Sequence, residues 1–378
     1  MPLDPSPPSP PAHRTGGADP SVGFDDLGGW PGVLGRLTSG ESLSAAEAAC
    51  VLGEVLSGEA TPAQIAALLI GLRAKGESIE EMTGLVRAML SHAVALPLPV
   101  ELSDVVDVVG TGGDRLRSIN VSTIAAFVVA GAGVPVCKHG NRAASSSVGT
   151  ADVLEALGVA VDLGARGVAR CLVEVGMGFC FAQRFHPTMR FVAAVRRELG
   201  VPTIFNFLGP LANPARAQRQ LVGVSDPTMA SKMAAVLGGN GSRRSMIVYA
   251  DDGLDELSVT SASTVLDLSG DGEGEFDVRT YRVDPAELGF HKAALEDLRG
   301  GDAAFNAGVI RAVLNGERSP RRDIGVLNAA AALVVAGRAG DLGAGVDLAT
   351  SSIDGGAAAA VLEALVRTSQ EADGDERG

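Results

Sequence analysis

Aromatic residues are scarce in this sequence: eleven phenylalanines, two tyrosines and one tryptophan make up 4% of 378 positions. Hydrophobic residues still reach 46%, enough for a full core, but Ala, Val and Leu must fill it. Cysteine is equally sparse. Cys50, Cys137, Cys171 and Cys180 form no CxxC pair and have no histidines at zinc-ligand spacing. That pattern argues against a disulfide scaffold and a structural zinc, and makes a reducing cytoplasm the expected compartment. No apolar run reaches the roughly 20 residues that cross a bilayer, and the N-terminus lacks the charged start and apolar stretch of a signal peptide. No membrane association is expected. Basic residues are outnumbered, 31 against 45 acidic, for a net charge of −14, so nucleic acid, which needs a basic surface, is not an expected partner either. Any anion site must be made locally positive by Lys, Arg, helix N-termini or bound cations.

The chain divides by composition. Residues 1–27 hold seven of the nineteen prolines and are read as a disordered tail. Residues 28–96 carry helical patterns. Ser44 with Glu47 reads as a capping box opening a helix to Leu56. Thr61 before Pro62 opens a second, which stops at Gly76, and Ser78 opens a third, running to His92. Short links between short helices predict a small antiparallel bundle. Over residues 97–368, apolar runs at Val105–Val109, Val134–Cys137, Thr203–Phe207 and Ser245–Tyr249 alternate with helical stretches. This predicts an α/β domain on a central, mostly parallel sheet. Ser258–Val278 reads as an antiparallel or irregular addition. Three helices are expected beyond Asp284, with Asn306, Asp323 and Asp354 near their starts, and residues 369–378 are expected to fray.

Several constellations carry chemistry. Gly110, Thr111, Gly112, Gly113 and Asp114 form a glycine-rich turn after an apolar run, able to present backbone N–H groups to an anion. It lacks the Gly-Lys-Ser/Thr of a Walker loop and the GxGxxG spacing of a dinucleotide site. Ser118, Asn120, Ser122 and Thr123 precede an apolar helix at Ile124–Ala132, more polar groups than one N-cap needs. Lys138, His139, Asn141 and Arg142 surround Gly140, with Lys138 ending a strand and expected to face the cleft mouth. A loop of Ser145, Ser146 and Ser147 follows. His186 and Arg196 are read on one helical stretch, sharing a wall. Gly209 and Pro210 open a segment that is either a rigid turn or part of a pocket. Asp255 and Glu256 are either an acidic surface loop or a magnesium-binding pair. No GxSxG elbow or other nucleophile–base pair is present, so displacement aided by electrostatics is favoured over covalent catalysis.

In order along the chain, GTGGD at 110–114, NVST at 120–123, KHGNR at 138–142, ADVLEALG at 151–158, FHP at 185–187, VRRELG at 195–200, TIFNFLGPLANPA at 203–215 and GLDEL at 253–257 closely resemble the anthranilate phosphoribosyltransferase family of the tryptophan pathway. The resemblance spans roughly Gly29 to Arg367. It implies a helical domain joined to a larger α/β domain, a homodimer through the helical domains, and magnesium, two ions per subunit. The implied reaction is transfer of phosphoribosyl from phosphoribosyl pyrophosphate to the amine of anthranilate. On this likeness Gly110, Gly112, Gly113, Asp114, Ser118, Asn120, Ser122, Thr123, Lys138 and Ser145–Ser147 would hold phosphoribosyl pyrophosphate. Gly110, His139, Asn141, His186, Arg196 and Pro210 would form the anthranilate site, with Arg196 on its carboxylate. Ser122, Asp255 and Glu256 would serve magnesium. Arg115, Ser118 and Gln183 depart from residues common in the family. A pyrimidine nucleoside phosphorylase is the nearest other enzyme, and a noncatalytic nucleic-acid-binding paralogue the alternative from another class. The carboxylate pair and intact KHGNR disfavour the first, and the acidic charge disfavours the second.

Overall fold

In the computed structural model, residues 22–99, 102, 104–113, 117–143 and 148–377 are described. Four helices open the chain: α1 (Gly29–Thr38), α2 (Ala45–Ser57), α3 (Pro62–Lys75) and α4 (Ile79–Ser91). Three start at reciprocal capping boxes, Ser44 with Glu47, Thr61 with Gln64 and Ser78 with Glu81, so each entry point is fixed by two satisfied backbone donors. Glu81 has no exposed surface. It accepts from Leu43 N at 3.0 Å and pairs with Lys75 Nζ at 2.9 Å, tying three helix ends together. The expected three-helix reading missed α1 as a separate element. The N-terminal tail was also drawn too long. Residues 1–21 lie outside the described residues, but 22–27 are ordered, with a 3-10 turn at Asp25–Leu27 and the Phe24 ring edge-on to Trp30 at 5.4 Å.

A seven-stranded sheet follows: β1 (Val106–Gly110), β2 (Val136–Gly140), β3 (Met177–Phe181), β4 (Arg219–Gly223), β5 (Arg244–Ala250), β6 (Ser263–Gly270) and β7 (Phe276–Val283), in spatial order β3-β2-β1-β4-β5-β6-β7. The first five pair in parallel and β6 and β7 run antiparallel, as the alternating pattern predicts. The chain builds outward from β1 to β3, then returns to the other side of β1 with β4. That reversal marks the place where an open α/β sheet binds its ligand, beyond the carboxyl ends of the strands.

Three sequence expectations are corrected. Thr203–Phe207 is not a strand: Phe205–Leu208 is a short helix, α10, and the strands missed are β3 and β4. A short, mostly apolar run does not distinguish a strand from a buried helical turn. His186 and Arg196 do not share one helix. After α6 (Thr150–Leu157), α7 (Ala165–Val175) and β3 comes α8 (Ala182–Phe185), then a 3-10 turn at Pro187–Met189, and only then α9 (Arg190–Leu199). Beyond Asp284 there are four helices, α12 (Ala303–Leu314), α13 (Pro320–Val335), α14 (Leu342–Asp354) and α15 (Ala357–Arg377), capped at their starts by Asp302, Ser319 and Asp341 for the first three.

Two apolar cores flank the sheet. One surrounds α5 (Val121–Gly131), whose residues from Thr123 to Ala130 are all buried, as an apolar all-round helix must be. The other runs from the α1–α4 bundle through Val192, Val195, Ile204 and Phe207, and through α11 (Pro227–Gly239), to Ile247 and Leu268 on the sheet. The bundle therefore completes its core with α9 and α10 from the later chain.

The expectation that residues 369–378 fray is also overturned. Helix α15 continues to Arg377. Ser369 is fully buried and accepts from Ala160 N at 3.0 Å, and Glu376 receives Gly164 N at 2.8 Å and Gly167 N at 3.0 Å, capping α7 from outside. Truncation after Arg367 removes one cap and one buried hydrogen bond, roughly 1 kcal/mol each. We expect the melting temperature to fall by about 2.5 °C; calorimetry showing no change would contradict these contacts.

Candidate active site

The site is assembled at the carboxyl edge of β1, β2, β4 and β5. β5 ends at Ala250, and the next turn brings Asp255 across the sheet edge to β1 and β4. Only glycines permit this. A Cβ on Gly223 would sit 1.6 Å from the Asp255 carbonyl oxygen, and one on Gly110 would sit 2.6 Å from its Oδ2. With no side chain in the way, Asp255 Oδ2 accepts Gly112 N at 2.8 Å, and Gly112 and Gly113 turn at φ of 64° and 86°, which glycine adopts without a steric penalty. Asp252 braces the turn from below, taking Leu254 N at 3.1 Å on one oxygen and the Ser258 and Thr260 hydroxyls on the other. Asn328 of α13 clamps Leu257, accepting its N–H at 3.0 Å and donating to its carbonyl at 2.8 Å. Asp255 and Glu256 are both 7% exposed.

Lys138 lies beneath this edge and not at the cleft mouth, as the sequence led us to expect. It has no exposed surface. Its Nζ donates to the Val108 carbonyl and, at 3.1 Å, to Ser122 Oγ. Burial lowers its pKa, and the carboxylates of Asp107 and Glu256 oppose that shift. Thr123 is fully buried, its hydroxyl without a partner. Asn120 does not cap α5 with its side chain. Its amide bridges Val148 O at 3.3 Å and Asn306 Nδ2 at 2.9 Å. Ser118 forms a bridge with Arg299. Asp114 and Ser145–Ser147 lie outside the described residues, as does Arg115.

On the other side, His139 and His186 stand with ring centroids 5.3 Å apart. Burial drives His139 down to about 3, and the neighbouring His186 pushes in the same direction; His186 is lowered by burial too. His186 Nε2 contacts the Ala212 carbonyl at 2.9 Å, beside buried Pro210, whose carbonyl takes Gln220 Nε2 at 3.1 Å. The segment 209–213 thus borders both imidazoles. Arg196 is lowered by burial. It donates to Asn206 Oδ1 at 3.2 Å and stands 5.8 Å from the Phe205 ring centre. Asn141 is exposed, with Arg142 N at 2.8 Å and Gln183 Nε2 at 3.4 Å on its Oδ1. Arg142 leaves the expected cluster: it pairs with Asp152 and Glu155 on α6.

The structure adds residues that the motif reading passed over. Asp107 is fully buried between Val106 and Val108. Burial raises its carboxyl to about 6 against the pull of Lys138, Asn213 and the His139 N–H. A lone carboxylate inside an apolar run was its signal. Asn306, Asn213 and Asn328 are buried amides as well; in the sequence Asn306 reads only as a residue near a helix start, Asn213 only as part of the GPLANPA motif, and Asn328 is not singled out.

A buried cation, a carboxylate pair and a helix N-terminus meeting at a strand-end switch point are features that suit a polyphosphate ligand. The family described as "Glycosyl transferase family, helical bundle domain" matches residues 31–93, and "Glycosyl transferase family, a/b domain" matches residues 102–359. Anthranilate phosphoribosyltransferases from Salinispora arenicola and Moorella thermoacetica are each 52% identical to the chain. The first aligns over 88% of this chain and 94% of its own length, the second over 88% and 96%. The chain belongs to the anthranilate phosphoribosyltransferase family. Among solved structures, the Thermus thermophilus anthranilate phosphoribosyltransferase superposes with a TM-score of 0.83 at 40% identity, covering 89% of this chain and 99% of its own. The Saccharomyces cerevisiae enzyme, solved in complex with phosphoribosyl pyrophosphate and magnesium, gives 0.81 at 27% identity, covering 90% and 98%. The same yeast enzyme has been solved with 4-fluoroanthranilate.

Because burial pushes the His139 imidazole down to about 3, it is neutral through the range in which free histidine switches. We expect its ring proton resonances in NMR to stay fixed between about pH 5.5 and 8; a titration step there would disprove the buried environment.

Proposed function

We propose that this chain transfers the phosphoribosyl group of phosphoribosyl pyrophosphate to the amine of anthranilate. The products are N-(5-phosphoribosyl)anthranilate and pyrophosphate, in the second step of tryptophan formation from chorismate. The observation that carries this reading is the meeting of buried Lys138 with Ser122 and the Asp255–Glu256 loop at the sheet's carboxyl edge. No helix among the described residues is long and apolar enough to cross a membrane, and we place the enzyme in the cytoplasm.

Among the described residues no three His, Cys, Asp or Glu side chains converge as a complete metal site. Two carboxylates alone suit magnesium, which keeps few protein ligands and shares its remaining positions with water and substrate phosphates. Asp255 and Glu256, with Ser122, would hold it, as two ions per subunit. Magnesium there would neutralise charge on the departing pyrophosphate.

The chain's own residues do the rest. Lys138 and the N-terminus of α5 stabilise the growing negative charge on the leaving oxygen as the ribose C1–O bond breaks. Gly112 and Gly113 lie beside this point, Ser118, Asn120 and Thr123 belong to the donor's site, and Asp114 and Ser145–Ser147 are assigned to it from the family motifs alone. The acceptor nitrogen bonds to C1 and releases a proton to solvent. An aryl amine is uncharged at neutral pH, so orientation counts for more than a general base. Arg196 takes the anthranilate carboxylate, while neutral His139 and His186, with Gly110, Asn141 and Pro210, wall the ring.

Purified protein mixed with anthranilate, phosphoribosyl pyrophosphate and magnesium should lose anthranilate fluorescence only when all three are present; no loss from folded protein would sink the assignment. Arg196→Ala removes a charged hydrogen bond worth about 2 kcal/mol. It should raise the anthranilate KM about thirtyfold and leave the donor KM within about threefold; equal effects would remove Arg196 from the acceptor site. Replacing Asp255 and Glu256 together by Ala should cut magnesium-dependent turnover on the order of a thousandfold, with circular dichroism unchanged.

We also propose a homodimer through the helical bundle. Ala63, Ala67, Ile70 and Ala74 recur along one exposed face of α3, an apolar stripe left uncovered by the described residues. Sedimentation should give twice the 38.3 kDa chain mass, and a single-chain mass would reject the dimer.

A further inference from the structure

The sheet changes its construction between β1 and β2. β1 pairs with β4 along its whole length, from Val106 with Arg219 to Gly110 with Gly223. Between β1 and β2 the register holds at Val106 with Val136. Beyond that point side chains take over the ladder. His139 N donates to Asp107 Oδ1 at 3.2 Å, the Cys137 carbonyl accepts Asn213 Nδ2 at 2.8 Å, and the Val108 carbonyl accepts Lys138 Nζ. Asp107 Oδ2 and Asn213 Nδ2 are themselves joined at 2.8 Å, and Asn213 Oδ1 takes Ala215 N at 2.8 Å. Asp107 and Asn213 are 0% and 3% exposed.

Backbone groups left without partners in a buried sheet are costly, so a sheet that opens here must have its gap filled by groups of the right polarity. Asp107 supplies two acceptors and Asn213 supplies donors. Between them they connect β1, β2 and the segment from Gly209 to Asn213. These are the supports of Lys138 on one side and of His139, His186 and Pro210 on the other.

We propose that Asp107, joined to Asn213, is a positioning residue for the transfer reaction: the pair is spliced into the sheet in place of backbone hydrogen bonds and sets the spacing between the donor-side lysine and the acceptor pocket. The inference rests on the reaction proposed above. Asp107 touches neither substrate. It fixes the separation of two half-sites, each of which can bind alone, and its loss therefore misaligns the reacting atoms without emptying either half. The polarity is specific. In Asp107→Asn, one of the two positions facing His139 N and Asn213 Nδ2 becomes a donor, and Asn213 cannot turn over without losing its bonds to Ala215 N and Cys137 O.

The test uses the full chain and Asp107→Asn, with Cys180→Ala as a control, since the Cys180 thiol is buried 3.5 Å from Cys137 Sγ and has no part in the splice. For Asp107→Asn we expect kcat to fall on the order of a hundredfold. The binary Kd values of phosphoribosyl pyrophosphate with magnesium and of anthranilate, each measured without the other, should stay within about threefold of wild type. Cys180→Ala should keep wild-type kcat even where it melts earlier. An unchanged kcat in folded Asp107→Asn, or Kd values that weaken in step with the rate, overturns the proposal. If Asp107→Asn does not fold, Asn213→Ser, which shortens the other half of the splice, decides by the same split. Hydrogen exchange supplies a readout independent of turnover: the segment 136–140 should exchange at least about tenfold faster in Asp107→Asn and at the wild-type rate in Cys180→Ala. Faster exchange there, in a protein whose wild type does not consume anthranilate, would reject the reaction and leave the splice standing; wild-type exchange in Asp107→Asn would reject the splice.

Discussion

A lysine ammonium with no exposed surface is expensive to keep charged, and much of the arrangement around the candidate site answers that cost. Transfer of Lys138 out of water favours the neutral amine. Against this stand the Val108 carbonyl and the Ser122 hydroxyl, which accept its hydrogen bonds, and the fields of Asp107 and Glu256. Asp107 is equally buried and has the same difficulty with the opposite sign. Neither charge is stable there alone. Each makes the other tolerable, and together they displace the ordinary backbone ladder between two neighbouring strands.

The same economy shapes the carboxylate loop. Asp255 reaches its place only by lying across the ends of β1 and β4, and the loop is held from behind by Asp252 and by Asn328 on α13. The α13 helix is packed against α5, whose first turn carries Ser122, the partner of Lys138. Loop, lysine and helix terminus are therefore referred to one rigid body, which is what a site that works by electrostatic preorganisation requires. The side proposed for the acceptor is built differently. Arg196 and its partner Asn206 come from segments packed on the helical bundle, so the two halves of the site rest on separate apolar cores joined through the sheet.

Much of this was legible before any coordinates. The capping boxes marked helix starts because local hydrogen bonding decides them. The parallel sheet followed from alternating runs and glycine turns, and the ordered set of motifs, GTGGD through GLDEL, named the family. The failures have physical causes. The run at 203–207 is buried, and burial makes a short helix and a strand look alike. Residues 369–377 are polar in composition but bury Ser369 and Ala372 on one stripe of α15 and bring Glu376 to the start of α7, a pattern only the partner helix makes visible. Arg142 sits in a cationic motif and yet turns to α6, since Asp152 and Glu155 are nearer than the cleft. Asp107 was the one charge in VVDVV, and reading that run only as a strand concealed its best clue.

The contact between Gly223 and Asp255 has a historical consequence. The backbone of the carboxylate loop occupies the volume where any side chain at position 223 would begin. While the loop is in place, drift at that position is barred. Should a lineage lose the carboxylates and let the loop withdraw, a methyl group can settle into the vacated space. Regaining the acids alone would then restore nothing, because the ground they stood on is taken. Loss of this loop would then be hard to reverse one substitution at a time.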